Sequence, residues 1–151
     1  MNGNEVEDLK ICSECGGSCC KNMACHFSPD DFQRISFKTL KIEIEKGHIS
    51  IDWWYSDIDE KKPRYKRVYY LRIKNKNANI LDPSWGGQCS LWDKGKGCPL
   101  PFNERPKGAR ALIPNPDLKG KCDSRYTKEM CVRDWRKHQT ILKRLKEHFV
   151  K

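Results

Sequence analysis

Nine cysteines among 151 residues constrain the fold of this chain more than any other feature of its sequence. Four of them lie within residues 12–20, which read CSECGGSCC. Two intervening residues let the first pair of thiols reach one ion, and the two glycines let the backbone turn sharply so that further sulfurs converge. This spacing predicts a metal site. The candidate metal ligands are all nine cysteines: Cys12, Cys15, Cys19, Cys20, Cys25, Cys89, Cys98, Cys122 and Cys131.

The alternative use of these cysteines is in disulfides, and the rest of the sequence argues against it. The first eleven residues are polar and acidic, so no secretory signal is visible, and no stretch of about 18 apolar residues predicts a membrane span. We therefore expect a cytoplasmic protein, in which cysteines persist as thiols or metal ligands. The odd number of cysteines also counts against complete disulfide pairing, although secretion would reverse this inference.

The length and composition predict one small domain whose apolar core alone does not stabilise the fold. A chain of 151 residues fits a single domain, residues 1–151. Only 37% of its residues are hydrophobic and 33% are charged, so the core is modest. We expect metal ions to staple the cysteine-rich N-terminal and central loop regions together.

Two short helices are predicted between the first cysteines and residue 47. Ser28 can cap a helix, Pro29 suits its first turn, and the carboxylates of Asp30 and Asp31 face its positive end. Apolar residues continue from there, and Gly47 is the predicted stop.

At Ile49 the spacing of hydrophobic residues changes from the period of a helix, about 3.6 residues, to that of a strand, two residues. In residues 49–56 every second residue is apolar, and in residues 68–73 Tyr69, Leu71 and Ile73 alternate, so a β-hairpin is predicted across residues 57–66. The aromatic side chains of these strands are compatible with a platform on which nucleic-acid bases stack. Packing in the core and across the strands is the simpler interpretation.

The second half of the chain predicts turns and then a long helix. Residues 82–116 are rich in glycine and proline. After Cys122, apolar residues recur in steps of four and three while lysine and arginine lie off that stripe, which predicts an amphipathic C-terminal helix. The stripe consists of Cys131, Trp135, His138, Leu142, Leu145 and Phe149. With the hairpin, this helix predicts an α+β fold.

The order of the cysteine motifs resembles the YkgJ family, described as zinc- or iron-chelating proteins with a CxxCxxCC motif. Cys12, Cys15, Cys19 and Cys20 resemble the first motif of that family. Cys89 and Cys98 resemble its central pair, and residues 105–110, which read RPKGAR, resemble its last motif together with Pro114. The resemblance covers about two-thirds of the chain and implies metal chelation.

The chain departs from the family pattern in two places. Three residues rather than two separate Cys15 from Cys19, and Ala109 stands where the family has a cysteine. Cys25, Cys122 or Cys131 is the candidate replacement, although burial of a small thiol explains Cys131 equally well. His26 is a further candidate ligand. Two sites with four sulfurs each would use eight of the nine cysteines, and zinc is narrowly preferred over iron or an iron–sulfur cluster.

Three functions follow from these expectations. The first is a metal-binding protein with a structural, storage, delivery or sensing role. The second is a metal- or iron–sulfur-dependent enzyme, since the missing ligand at Ala109 would leave an open coordination position, although no catalytic motif is recognisable in the sequence. The third is a nucleic-acid-binding module scaffolded by the metal sites, because the formal net charge of +10 favours an anionic partner.

Overall fold

A two-stranded antiparallel hairpin and two consecutive C-terminal helices dominate the fold. The computed structural model describes residues 25–57, 65–76, 78–82, 89–91, 102–114 and 122–150. The strands are β1 Ile49–Asp57, β2 Tyr65–Ile73, β3 Leu112–Pro114 and β4 Cys122–Ser124. The α-helices are α1 Phe37–Glu45, α2 Lys107–Arg110, α3 Lys128–Trp135 and α4 Gln139–Phe149. Short 3-10 helices occupy Pro29–Asp31, Phe102–Glu104 and Arg136–His138. The predicted α+β fold class is confirmed.

The two predicted helices before residue 47 are present, and each begins at a serine. The Ser28 hydroxyl accepts a hydrogen bond from the Asp30 N–H, and the Asp31 carboxylate accepts one from the Ser28 N–H. This reciprocal cap starts a 3-10 turn rather than an α-helix. The Ser36 hydroxyl caps α1 by accepting a hydrogen bond from the Thr39 N–H. Gly47, with φ at +93°, ends this stretch in a conformation that favours glycine.

The predicted hairpin is confirmed, but both of its faces are buried near the start of β1. In the register, Ile51 lies opposite Leu71 and Asp52 lies opposite Tyr70. The alternation predicts that the polar residues of β1 face solvent, yet the exposed fraction of Ser50 and Asp52 is 0%. The reason is tertiary, because helix α3 packs against both strands and covers the face that carries Asp52.

The outer edge of β2 is covered along most of its length. The Phe27 N–H donates to the Leu71 carbonyl at 2.8 Å, so residues 25–27 pair with the end of the strand. Further along the same edge, the Gln139 side-chain amide donates to the Tyr69 carbonyl and accepts from the Tyr69 N–H, each at 2.9 Å. A side chain from α4 thus takes the place of a neighbouring strand and satisfies an edge that would otherwise be open to pairing with another chain.

The outer edge of β1 is paired as well. The Ile51 N–H donates to the Ile80 carbonyl at 2.6 Å, and the Asp82 N–H donates to the Ile51 carbonyl at 3.0 Å. These two bonds bring the Asp82 side chain next to Arg72, which lies on β2. The hairpin is therefore held between two irregular segments of the chain.

The C-terminal stripe packs into the core much as its spacing predicts. Cys131, Trp135, Leu142 and Leu145 all have an exposed fraction of 0%. A 3-10 turn at Arg136–His138 divides the predicted helix into α3 and α4. Helix α3 contacts the two hairpin strands, whereas α4 contacts α1 and β2, so the two halves of the helical segment pack on different parts of the fold.

Candidate metal centre

Two of the nine candidate ligands lie at the same end of strand β2. The Cys25 carbonyl accepts a hydrogen bond from the Ile73 N–H at 2.9 Å. Cys89 forms an isolated antiparallel bridge with Asn75 and packs its side chain against Ile73. The fold therefore brings together two cysteine-containing segments that are far apart in the sequence.

The surroundings of these two cysteines differ. Cys89 is 4% exposed and belongs to a small apolar cluster with Ile73, to which Phe27 and Leu91 contribute. The Ser90 N–H donates to a carbonyl of the segment that follows β2, which holds the Cys89 backbone in place. Cys25 is partly exposed. One cysteine thus lies inside the fold and the other faces toward its surface.

Cys131 has a separate environment inside the main core. Its Sγ donates to the Phe27 carbonyl at 3.4 Å, and the Trp135 indole N–H donates to the same oxygen at 2.7 Å. Burial raises the pKa of the Cys131 thiol, and the nearby Asp134 carboxylate raises it further. The protonated thiol is a donor in a packed core, which is the position that the packing alternative describes.

The RPKGAR motif lies against the segment that begins at Cys25. The Gly108 N–H donates to the His26 carbonyl at 3.0 Å. The Asp31 carboxylate accepts from the Lys107 N–H at 2.8 Å and forms an ion pair with the Arg110 guanidinium. Capping alone was the predicted role of Asp31. Its second role, as the anchor of α2, has no signal in the local sequence because the partners are far along the chain.

The His26 side chain forms a buried hydrogen bond inside the fold. Its Nε2 lies 2.7 Å from the Tyr126 carbonyl, so this nitrogen carries the proton and donates it to that oxygen. Burial lowers the pKa of the imidazole, which favours the neutral ring. The ring also packs against the Tyr126 ring, with 5.3 Å between the centroids. Nε2 is therefore occupied by a structural hydrogen bond.

Replacing Gly108 with alanine is expected to destabilise the protein by about 1–3 kcal/mol through overpacking. A Cβ at this position would lie 2.7 Å from the His26 carbonyl oxygen and 3.1 Å from its nitrogen, and neither backbone atom moves easily. Urea unfolding measures the difference. The sign of the change in unfolding free energy distinguishes the two effects, because replacing glycine with alanine in a helix ordinarily stabilises a protein by up to about 1 kcal/mol. An unchanged or raised stability would contradict the close packing of α2 on residue 26.

The other candidate ligands are not placed by the described part of the chain. Cys12, Cys15, Cys19, Cys20 and Cys98 lie outside the described residues. The backbone of Cys122 pairs with Pro114 in the short sheet of β3 and β4. In the ranges that the structure describes, no three or more His, Cys, Asp and Glu side chains form a group that could hold a metal ion.

Nothing in the comparisons identifies a relative of this chain. No protein-family model, curated protein or solved structure matches it. The resemblance to the YkgJ family therefore stays a prediction from the cysteine motifs. Among the described residues, no helix combines the length and the apolar character needed to cross a membrane.

Proposed function

We propose that this chain is a cysteine-ligated metal-binding protein whose ions join its N-terminal and central cysteine segments. The observation that supports it is that the Cys25 backbone and the Cys89 side chain both lie at the Ile73 end of β2. Cys20 precedes Cys25 by five residues, so the chain between them spans at most about 18 Å. A short stretch of chain thus links the first cysteine motif to the end of β2 at which Cys25 and Cys89 lie.

The proposed ligands divide into three groups. Six cysteines match both the spacing and the family motifs: Cys12, Cys15, Cys19, Cys20, Cys89 and Cys98. Cys25 and Cys122 complete the eight sulfurs that two four-coordinate ions need, because Ala109 supplies none. Cys131 is assigned to the core.

Zinc is the narrow preference for the metal, and iron or an iron–sulfur cluster is its rival. Four thiolates around one divalent zinc leave about two negative charges per site, so the excess of lysine and arginine offsets part of that charge. The role is structural, or it is storage, delivery or sensing of the metal. The proposal places the protein in the cytoplasm or another reducing compartment, where thiols persist.

The protein purified without oxygen or chelators is expected to carry about two metal equivalents or one multinuclear cluster. Elemental analysis, inorganic sulfide and the visible spectrum are measured on the same sample. Zinc sites are colourless, whereas iron–sulfur clusters are brown and contain sulfide. Fewer than half an equivalent of any transition metal would overturn the proposal.

Serine substitutions of two buried cysteines distinguish a ligand from a core residue. Cys89 is 4% exposed and Cys131 is 0% exposed, so the same change disturbs a comparable environment in each. Cys89→Ser should lower the metal content, and Cys131→Ser should leave the stoichiometry unchanged in folded protein. Equal metal loss in both variants would show that Cys131 is wrongly assigned. An unchanged stoichiometry when Cys25, Cys122 and Cys131 are all serine would replace the two sites with one.

A further inference from the structure

One face of the β-hairpin carries aromatic and cationic side chains toward the end of β1 and the start of β2, which we call the outer half of the hairpin. Trp53 and Tyr55 are two residues apart on β1, so their side chains lie on the same face of the hairpin. Arg67 lies directly opposite Tyr55 on β2 and shares that face. The Trp53 and Tyr55 rings are 4.9 Å apart between centroids, at an angle of 77°. The Arg67 guanidinium lies 4.4 Å from the centre of the Trp53 ring.

The same face continues toward helix α4. Tyr69 lies opposite Trp53 in the register, and the Lys146 ammonium group donates to the Tyr69 hydroxyl at 3.2 Å. Lys146 also lies 5.3 Å from the centre of the Tyr69 ring. We call this set of residues the hairpin platform: Trp53, Tyr55, Arg67, Tyr69 and Lys146.

Core packing does not account for the outer half of this face. On this face, the fully buried side chains of the hairpin end at Ile51 and Leu71, and Trp53 and Tyr69 are half-buried. Tyr55 is 44% exposed, which places it among the large apolar side chains most open to solvent, and Arg67 is exposed. The sequence favours core packing for these aromatic residues, and the structure leaves their outer members at the surface.

The charge beside the hairpin platform is positive. Lys143 lies on the same stripe of α4 as Gln139 and Lys146, both of which contact Tyr69, so it extends the cationic surface along β2. Lys143 and Arg144 are exposed, and Glu147 is the one acid on the same stretch of helix. The whole chain carries a formal net charge of +10. Such a surface is complementary to a polyanion.

We propose that the hairpin platform binds single-stranded nucleic acid. Unpaired bases stack on Tyr55, on Trp53 and on the planar guanidinium of Arg67, while Lys143 and Lys146 contact phosphates. A duplex keeps its bases inside the helix and offers these rings nothing to stack on. The inference does not depend on the metal sites, because no cysteine contributes to the hairpin platform.

The test is fluorescence anisotropy of a labelled 12-nucleotide oligo(dT) with the full-length protein in low salt. The wild-type protein should bind it more tightly than a duplex of the same length. Replacing Trp53 and Tyr55 with leucine should lower the affinity by at least about fivefold, which is the lower bound for loss of a single base–aromatic stack. Replacing Lys143 with alanine should reduce the salt dependence instead, because it removes a phosphate contact.

Trp54 provides the matched control. It belongs to the same strand but lies on the opposite face, where the Lys128 ammonium group stacks over its ring at 4.6 Å. Trp54→Leu should therefore leave the affinity unchanged. Circular dichroism checks the folding of each variant, and if the Trp53 and Tyr55 variant fails to fold, Arg67→Gln on the exposed surface takes its place with the same expected loss.

Three results would overturn the proposal. The first is no binding by the folded wild-type protein at low salt. The second is an equal loss of affinity in the Trp54 control. The third is binding that inorganic polyphosphate displaces fully and that the aromatic substitutions leave unchanged, which would show attraction between charges without base stacking.

Discussion

Chelation of the proposed metal ions is expected to unfold much of this protein. Structural zinc sites contribute roughly 10 kcal/mol or more of apparent folding free energy in small domains, and whole domains have a net stability of only about 5–15 kcal/mol. The Cys25 segment and the Cys89 segment both contact the end of β2, and the Phe27 carbonyl also accepts from Cys131 and Trp135 in the core. Loss of the ions should therefore loosen these segments and, through Phe27, the packing of Cys131 and Trp135.

Near-ultraviolet circular dichroism and thermal melting measure this effect before and after chelation. Trp135 is a suitable reporter because its exposed fraction is 0% and its indole N–H bonds to the Phe27 carbonyl. Re-addition of the metal should restore both signals, which separates unfolding from irreversible oxidation of the thiols. A chelated chain that keeps its tryptophan signal and its melting temperature would contradict the expectation.

Replacement of Arg72 with methionine is expected to cost about 3–5 kcal/mol of stability. The Arg72 guanidinium lies 2.9 Å from an Asp52 oxygen and 2.7 Å from an Asp82 oxygen, and Arg72 is 3% exposed. Without this cation, Asp52 would be a buried carboxylate with the Tyr70 hydroxyl and a backbone N–H as its remaining donors. Urea unfolding at neutral pH gives the free energy of unfolding of each variant.

The matched control for this substitution lies on the same strand. Arg67→Met removes an exposed arginine from β2 and should cost less than about 1 kcal/mol. Adding Asp52→Asn to the Arg72 variant should recover part of the loss, because the orphaned charge is removed with its partner. If Arg72→Met cost no more than Arg67→Met, the buried ion pair would have no special role in stability.

The loss in the Arg72 variant should also depend on pH. Burial raises the pKa of Asp52, whereas the Arg72 charge lowers it, so removal of Arg72 raises this pKa further. The folded variant then binds a proton more tightly than the unfolded chain does. Its stability should fall as pH rises from about 4 toward 7, so the difference from wild type is smallest in acid.

Short-range signals in the sequence predict most of the helices and strands. The cap at Ser28, the stop at Gly47 and the alternation that begins at Ile49 each depend on contacts within a few residues. A helix cap or a strand period is set by local sterics and hydrogen bonds, so the chain carries that information locally. The apolar spacing from Cys131 to Leu145 is likewise a local helical period.

Only the tertiary structure decides what those elements cover. The alternation assigns Asp52 to a solvent face, but α3 and the Asp82 segment enclose that face, and Arg72 supplies the compensating charge. Nothing near residue 31 in the sequence predicts that its carboxylate also anchors α2. These are contacts between residues distant in the chain, which a local pattern does not specify.

The same distinction between local sequence and tertiary structure applies to the candidate metal site. Cysteine chemistry and the spacing in CSECGGSCC are covalent properties of the chain, and they predict metal binding before any fold is known. Cys25 and Cys89 lie at the same end of β2 because both of their segments pair there. Cys131 bonds to the Phe27 carbonyl because α3 packs over the sheet. Sequence spacing therefore identifies thiols that can bind metal, whereas long-range pairing and burial decide which of them lie together.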